Sequence, residues 1–237
     1  MYFNGLIKGF FKSRPNRFVV EFSDEKGLVD IAHLHDPGRL TELLIEDKEL
    51  LLEYVPNYKE TNRKTKYNVI AVFYNNSWVI INSSFHNDLV EELINNKCIK
   101  PLKEFYVKKR EYTHGNSRLD FLLSSSNDEL MFMEVKGCTL VKNSVAMFPD
   151  APTIRGSKHV QELIKIKKDG FLSCVLILVL QNNAKSFTPN KETDPVFYET
   201  LKEAYNKDVI ILPFKIKTEY IGNCLKLIPT ELIPLKF

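Results

Sequence analysis

Three charged residues in the middle of the chain have the types and spacing of a metal-dependent hydrolytic site. Asp120 lies within the apolar stretch Arg118–Leu123, and Glu134 and Lys136 lie within a second one, Leu130–Lys136. A polar segment separates the two stretches, which predicts a β-hairpin. Side chains two residues apart in a strand share a face, so Glu134 and Lys136 are expected together, with Asp120 on the polar side of the same hairpin.

Two carboxylates and a lysine in one place could cleave a phosphate ester. Mg²⁺ takes oxygen ligands, and one or two carboxylates plus a substrate phosphate suffice to hold it. The ion activates water and neutralises charge on the phosphate, and the lysine can hold that water. Glu91 or Glu92, on a predicted helix, could supply a further ligand. An alternative stays open, because charged residues on strands are also common as plain surface groups.

Apolar periodicity predicts an α/β arrangement around these residues, from 85 to 237. The stretch Ser173–Leu180 is continuously apolar and predicts a strand buried on both faces. The other predicted strands are Phe105–Tyr112, the two strands of the hairpin and Val209–Phe214, and the predicted helices are Asn87–Asn96, Ser157–Lys168 and Pro195–Asn206.

Residues 1–84 show a different pattern of short strands separated by turns. Five or six strands in this length predict an OB-like small β-barrel. A short helix is predicted at Gly38–Glu46, after Pro37. The domain boundary is therefore placed near residue 84. The predicted strands are Leu6–Phe11, Arg17–Phe22, Leu28–Leu34, Glu49–Tyr54, Tyr67–Phe73 and Trp78–Ile81.

The charge balance excludes a protein that binds nucleic acid by bulk charge alone. The net charge is +3, from 33 basic and 30 acidic residues. Residues 1–84 carry 11 of each sign, so the excess lies in the remainder. Two basic clusters, within 97–110 and 155–168, have two interpretations, a solvated helix face or a phosphate-binding surface.

The sequence shows none of the signals of secretion or membrane insertion. The N-terminus lacks the order of a signal peptide, and the longest strongly apolar run, Val175–Leu180, is far shorter than the ~20 residues of a membrane span. The four cysteines are far apart, which excludes a Cys-x-x-Cys metal or redox motif. We expect a cytoplasmic protein with no membrane partner.

Several blocks of the sequence resemble known families. Asp120 followed by Glu134-Val135-Lys136, on a helix–three-strand–helix–strand scaffold, resembles the PD-(D/E)XK (restriction-endonuclease-like) nuclease superfamily. The chain also resembles the sugar fermentation stimulation protein A (SfsA) family over nearly its whole length. The blocks that carry this second resemblance are Arg118–Leu123, Glu134–Gly137, Met147–Thr153, Arg155–His159 and His35–Leu40.

The resemblance implies an N-terminal OB-fold domain followed by a restriction-endonuclease-like α/β domain with a mixed central sheet. It implies that Asp120 and Glu134 bind Mg²⁺ or Mn²⁺, with Glu92 (or Glu91) as a further ligand, and that Lys136 is the catalytic lysine. Glu111 and Lys158 are implied as auxiliary residues. Leu119 replaces the proline of the superfamily motif, and His35-Asp36-Pro37-Gly38 differs from the His-x-Pro-Asn-Thr-Gly phrase of many SfsA sequences.

Nucleic acid is the predicted partner. Pro37-Gly38 predicts a tight turn whose backbone can approach a phosphate, with Arg39 beside it; a plain turn with a surface arginine is the alternative. His159 is interpreted as a surface or helix-capping histidine. The residues predicted to bind nucleic acid are His35, Gly38, Arg39, Arg118, Arg155 and Lys158.

The sequence is compatible with three functions. The leading hypothesis is a DNA-binding, metal-dependent nuclease that hydrolyses phosphodiester bonds of DNA, or of RNA. The rival is a non-catalytic, DNA-binding regulatory protein related to sugar (maltose) metabolism, and a third class is an interaction module whose barrel binds peptide. Intact Asp120, Glu134 and Lys136 favour the first. An exposed strand edge in either domain would permit a homodimer.

Overall fold

The computed structural model describes residues 1–115 and 117–237, and the chain divides into two units. The first unit contains residues 1–85 together with 180–182 and 217–228. The second unit contains residues 86–179, 183–216 and 229–237. Among the described residues, no helix combines the length and the apolar character needed to cross a bilayer.

Five strands close into a barrel in the first unit. Their order is β4-β3-β2-β5-β6, each antiparallel to the next, and a parallel pairing of β4 with β6 closes the ring. Inward-facing apolar side chains such as Val20, Phe22 and Leu52 form its core. The strands are β2 (Ile7–Asn16), β3 (Val19–Ser23), β4 (Val29–His33), β5 (Glu49–Tyr54) and β6 (Tyr67–Tyr74), and β7 (Ser77–Ile80) pairs with β6.

The prediction of a helix at Gly38–Glu46 is wrong, because this segment forms a loop with turns at 41–43 and 46–47. Leu40 has a left-handed backbone conformation with φ of 52°, which a right-handed helix excludes. Leu40 and Leu43 are instead buried in the barrel core. The three-residue spacing of Leu40 and Leu43 resembles a helical period, but here it reflects two loop side chains that both pack into the barrel.

A mixed sheet forms the framework of the second unit, in the order β8-β9-β10-β13-β15. Strand β10 is central, antiparallel to β9 and parallel to β13, which is parallel to β15. Apolar residues of two helices, including Val160, Leu163 and Leu201, pack with the sheet into one core. The strands are β8 (Phe105–His114), β9 (Ser117–Ser125), β10 (Leu130–Cys138), β13 (Leu172–Val179) and β15 (Ile210–Ile221), and the helices are α1 (His86–Asn95), α2 (Ile154–Lys168) and α3 (Pro195–Asn206).

Five strands were outside the sequence-based prediction. Three are short and form a small sheet of their own, in the order β11-β12-β14. The first strand, β1, pairs with β16 through Tyr2↔Lys226 and Phe3↔Leu225. These five are β1 (Tyr2–Phe3), β11 (Leu140–Lys142), β12 (Val145–Phe148), β14 (Ser186–Pro189) and β16 (Cys224–Leu232).

Helix α1 approaches the end of β10 at Gly137, immediately after Lys136. A Cβ atom at Gly137 would lie 2.3 Å from Cε1 of the His86 ring, far inside van der Waals contact. Glycine is therefore required here by the close approach of the His86 side chain. The φ angle of Gly137 is not positive, so alanine could adopt its backbone conformation without strain. The steric conflict is with the His86 ring.

We expect Gly137→Ala to lower the free energy of unfolding by about 1–3 kcal/mol, because the added methyl group forces the buried ring or the strand to move. Urea unfolding followed by circular dichroism measures the change. In the double variant His86→Ala/Gly137→Ala the clash is absent, so the alanine at 137 should then cost less than it does beside the histidine. Equal costs in both backgrounds would contradict the packing argument.

Burial lowers the pKa of His86 from 6.5 to about 4. The unfolded chain therefore binds a proton at this histidine at a higher pH than the folded chain does. The free energy of unfolding should fall as pH drops from about 6.5 to 4, by at most about 3 kcal/mol from this group. Urea unfolding of wild type and His86→Gln across this range should show a shallower slope for the variant, and identical slopes would argue against a neutral buried imidazole.

Candidate active site

The central pair of strands brings Asp120 and Glu134 to neighbouring positions. The paired register of β9 and β10 ends at Met133↔Phe121. At the next position Oδ2 of Asp120 accepts a hydrogen bond from the backbone N–H of Val135, at 2.7 Å. The Asp120 carboxylate thus replaces a backbone carbonyl as the partner of this N–H, and its side chain is fixed beside β10.

Helix α1 supplies a second contact that orients Asp120. The side-chain amide of Asn87 donates to Oδ1 of Asp120, at 3.1 Å. Asn87 lies in the first turn of the helix. Both carboxylate oxygens of Asp120 are therefore held by donors from different elements of the same unit.

Glu134 is a carboxylate that is almost completely buried, with 2% of its surface exposed. Its Oε1 accepts hydrogen bonds from Nζ of Lys136 and from Nδ1 of His159. The contact with Lys136 shows that the two side chains share one face of β10, as the alternation of the strand predicts. Its other oxygen, Oε2, is buried and has no hydrogen-bond partner.

The pKa values of the two carboxyl groups are shifted in opposite directions. Burial and the neighbouring charge of Glu134 raise the pKa of Asp120, partly offset by the hydrogen bond from Val135. Burial alone would raise the pKa of Glu134 as well, but the hydrogen bond from His159 and the charge of Lys136 outweigh it, so this pKa is lowered. The partners of Glu134 outweigh the effect of burial on its charge, whereas for Asp120 the hydrogen bonds and the charge of Lys136 do not.

Helix α2 positions His159 against Glu134. The helix begins after Thr153, whose side chain caps it by accepting a hydrogen bond from the N–H of Gly156, at 3.0 Å. His159 is buried, and its Nε2 accepts a hydrogen bond from Nε of Arg155, at 3.4 Å. Arg155 is exposed, so a chain of contacts leads from the surface of α2 to the buried carboxylate.

The auxiliary residues predicted from the sequence lie at exposed positions. Glu92 is exposed on α1, the helix whose Asn87 contacts Asp120. Glu111 pairs with Arg118 at 2.8 Å, and both side chains are largely exposed. Lys158 lies on the exposed side of α2. Within 1–115 and 117–237, no three histidine, cysteine or acidic side chains are grouped so that they could hold a metal ion.

The predicted phosphate-binding turn lies in the first unit and is pinned by Arg14. The guanidinium of Arg14 donates to the carbonyl oxygens of Asp36, Gly38 and Arg39, at 3.1, 2.9 and 2.6 Å. The side chain of Arg39 is exposed. His35 is half-buried; burial, the neighbouring His33 and Arg63 lower its pKa.

Two residues of the site were missed by reasoning from the sequence. His159 was interpreted as a surface or capping residue, although it lies four positions before the buried Leu163 and therefore on the buried stripe of α2. That spacing was a usable signal. Asn87 carried no comparable signal, because an asparagine at the start of a helix is explained by capping alone.

Comparison with known proteins identifies the family. Residues 13–81 match the family model of the SfsA N-terminal OB domain, and residues 84–221 match that of the sugar fermentation stimulation protein RE domain. The chain is 51% identical over 237 residues to a sugar fermentation stimulation protein homolog of Methanosphaera stadtmanae, covering 100% of this chain and 98% of the relative. A homolog of Methanothermobacter thermautotrophicus is 43% identical over 213 residues, with 90% and 87% covered.

A solved structure agrees over the whole length. The structure of Pyrococcus furiosus SfsA in complex with Ca²⁺ has a TM-score of 0.90 and 28% sequence identity, and the match covers 100% of this chain and 98% of that one. The predicted fold class, an OB-like barrel followed by a restriction-endonuclease-like α/β domain with a mixed sheet, is confirmed. The chain therefore belongs to the sugar fermentation stimulation protein (SfsA) family.

Proposed function

We propose that this chain is a divalent-metal-dependent nuclease that hydrolyses phosphodiester bonds of DNA or RNA. In this proposal residues 85–237 form the catalytic domain and residues 1–84 form a nucleic-acid-binding domain. The observation that carries the proposal is the buried Oε2 of Glu134, which has no hydrogen-bond partner, in a carboxylate whose charge raises the pKa of Asp120 on the neighbouring strand. An unsatisfied carboxylate oxygen in a protein interior costs free energy, and a bound cation would remove that cost.

Asp120 and Glu134 fit the donor set of Mg²⁺ or Mn²⁺. Both provide carboxylate oxygens, and burial and the charge of Glu134 raise the pKa of Asp120, so a bound cation would stabilise its ionised form. The related Pyrococcus furiosus protein was solved with Ca²⁺, which takes the same class of ligand. A bound divalent ion would supply an activated water and neutralise charge on the phosphate.

The remaining side chains hold this pair in place and contribute positive charge. The ammonium group of Lys136 contacts Glu134, and only 15% of the Lys136 side chain is exposed. This contact fixes the position of the ammonium group, which can hold a water or a phosphate oxygen. His159 contacts Oε1 of Glu134, so Oε2, which has no hydrogen-bond partner, would be available to hold a metal ion. Asn87 and the N–H of Val135 each donate a hydrogen bond to one oxygen of Asp120 and so fix its orientation.

Basic residues outside the buried cluster would bind the phosphate backbone. Arg155 is exposed and also donates a hydrogen bond to His159. A phosphate bound by Arg155 would therefore lie one contact away from the histidine that orients Glu134. Further proposed contacts are those of Lys158, Arg118, His35, Gly38 and Arg39, with Glu92 and Glu111 as auxiliary carboxylates.

A second candidate is a DNA-binding regulatory protein without hydrolytic activity. It is favoured by one observation: the described residues contain no group of three metal-binding side chains. A site with two carboxylates can still act if the substrate phosphate and waters complete the coordination. Binding without cleavage in the presence of metal would favour this second candidate.

We expect purified protein with Mn²⁺ or Mg²⁺ to cleave labelled DNA or RNA, and Glu134→Gln, Asp120→Asn and Lys136→Ala to reduce the rate at least about 100-fold. Gel analysis of end-labelled single and double strands measures the rate. Glu199→Gln, which changes an exposed carboxylate of α3, is the matched control and should cleave like wild type. Full activity in the three site variants would refute the assignment.

Metal binding can be measured without activity. Mn²⁺ should raise the Tm of the wild-type chain, since a ligand that binds only the folded state at 100 times its Kd contributes about 2.7 kcal/mol, and EDTA should reverse the shift. Glu134→Gln and Asp120→Asn should remove the shift, and His159→Ala should reduce it because Glu134 loses a fixed orientation. An unchanged shift in Glu134→Gln would place the ion elsewhere.

A further inference from the structure

A cluster of aromatic rings lies at one end of the barrel, where β5 ends and β6 begins. Tyr54 and Tyr67 are opposite each other across these strands, with ring centroids 5.6 Å apart. The ring of Tyr58, in the connecting loop, is 6.4 Å from that of Tyr54. Tyr67 meets the buried ring of Phe22 edge-on at 5.5 Å. The rings thus extend from the barrel core to the surface, where 47% of Tyr54 is exposed.

The loop that carries Tyr58 is held in shape by its own backbone. The N–H of Val55 donates to the carbonyl of Lys66 at 2.9 Å, which continues the pairing of the two strands into the loop. The N–H of Arg63 donates to the carbonyl of Tyr58, also at 2.9 Å, and closes an inner turn. Tyr58 is therefore presented from a closed loop, and little ordering is required of it on binding.

Positive charge is concentrated beside these rings. Residues 57–66 contain four basic residues and one acidic residue, although residues 1–84 as a whole contain 11 of each sign. Nζ of Lys59 lies 5.9 Å from the centroid of the Tyr58 ring, and Nζ of Lys66 lies 5.7 Å from that of Tyr67. Lys66 also pairs with Asp30 at 2.7 Å, whereas Lys59 and Lys64 are exposed.

We infer that this tyrosine–lysine surface, formed by Tyr54, Tyr58, Lys59 and Lys64, binds single-stranded nucleic acid. Unpaired bases would stack on the two tyrosine rings, and the lysines would bind the flanking phosphates. A duplex hides the faces of its bases in the helical stack, so the same rings would have little to contact on it. This inference rests on the proposed nucleic-acid-binding role of the first unit and specifies the form of nucleic acid that it takes.

The test is fluorescence anisotropy of the full chain with a labelled oligothymidylate of about 20 nucleotides, in EDTA so that nothing is cleaved. Tyr58→Ala and Tyr54→Ala should each weaken binding about 5-fold to 100-fold, the range measured for the loss of a stacked base. Tyr58→Phe keeps the ring and should bind within about 2-fold of wild type. Thermal unfolding of each variant checks that the barrel is intact.

Matched controls separate stacking from charge. Lys59→Glu should weaken binding and lower its salt dependence, whereas Lys48→Glu, at the other end of β5, makes the same charge change and should have little effect. A base-free sugar-phosphate strand of equal length, and the duplex, should compete poorly. The inference would be overturned if the base-free strand or the duplex competed as well as unlabelled oligothymidylate. It would also be overturned if both tyrosine-to-alanine variants bound normally.

The outcomes also distinguish this inference from the proposed hydrolysis. A chain that cleaves nucleic acid, but whose tyrosine variants bind oligothymidylate normally, overturns only the single-strand surface. A chain that binds through Tyr58 in EDTA, and that cleaves neither DNA nor RNA with Mn²⁺ or Mg²⁺, overturns only the nuclease assignment.

Discussion

The ionised carboxylate of Glu134 lies in the middle of a sheet, with 2% of its surface exposed. Removing such a charge from water costs several kcal/mol unless partners compensate for it. Two partners do so, Lys136 from the same strand and His159 from α2. The position of α2 relative to β10 is therefore an electrostatic requirement as well as a packing one, and the cap by Thr153 fixes the start of the helix so that His159 falls opposite the carboxylate.

The hydrogen bonds that compensate the charge of Glu134 reach only one of its two oxygens, and the proposed metal site rests on this asymmetry. In a structural pair both oxygens would be expected to find donors, because each unsatisfied buried oxygen costs free energy. Here Lys136 and His159 both bind Oε1, and Oε2 is left without a donor. Asp120 is itself held by a backbone N–H and by Asn87 in a setting that disfavours its charge. The sheet thus maintains two oriented oxygens at a cost that a bound cation would offset.

Local periodicity was sufficient to predict most elements that cross a core. Strand Glu49–Tyr54 and helix Pro195–Asn206 have the predicted bounds, because burial on a constant face imposes a regular pattern of apolar residues. The strands β11, β12 and β14 contain only three or four residues each, too few to establish such a pattern. The alternation of β10 also predicted that Glu134 and Lys136 share a face. It could not predict Asn87 or the loop at 38–46, which depend on contacts with distant parts of the chain: Asp120 for the former, and the barrel core for the latter.

The net charge of this chain is a poor guide to polyanion binding, because its basic and acidic groups are concentrated in different places. Within residues 1–84 the two signs are equal in number, but residues 57–66 carry four basic groups and one acidic group, so the rest of that segment has an acidic excess. At physiological ionic strength charges separated by more than about 8 Å act largely independently at the surface. A phosphate backbone at the β5–β6 loop would therefore respond to the nearby lysines, and only weakly to acidic residues elsewhere on the barrel. The same separation operates in the second unit, where Glu134 is buried and Asp120 is half-buried, while exposed Arg155 and Lys158 face solvent from α2.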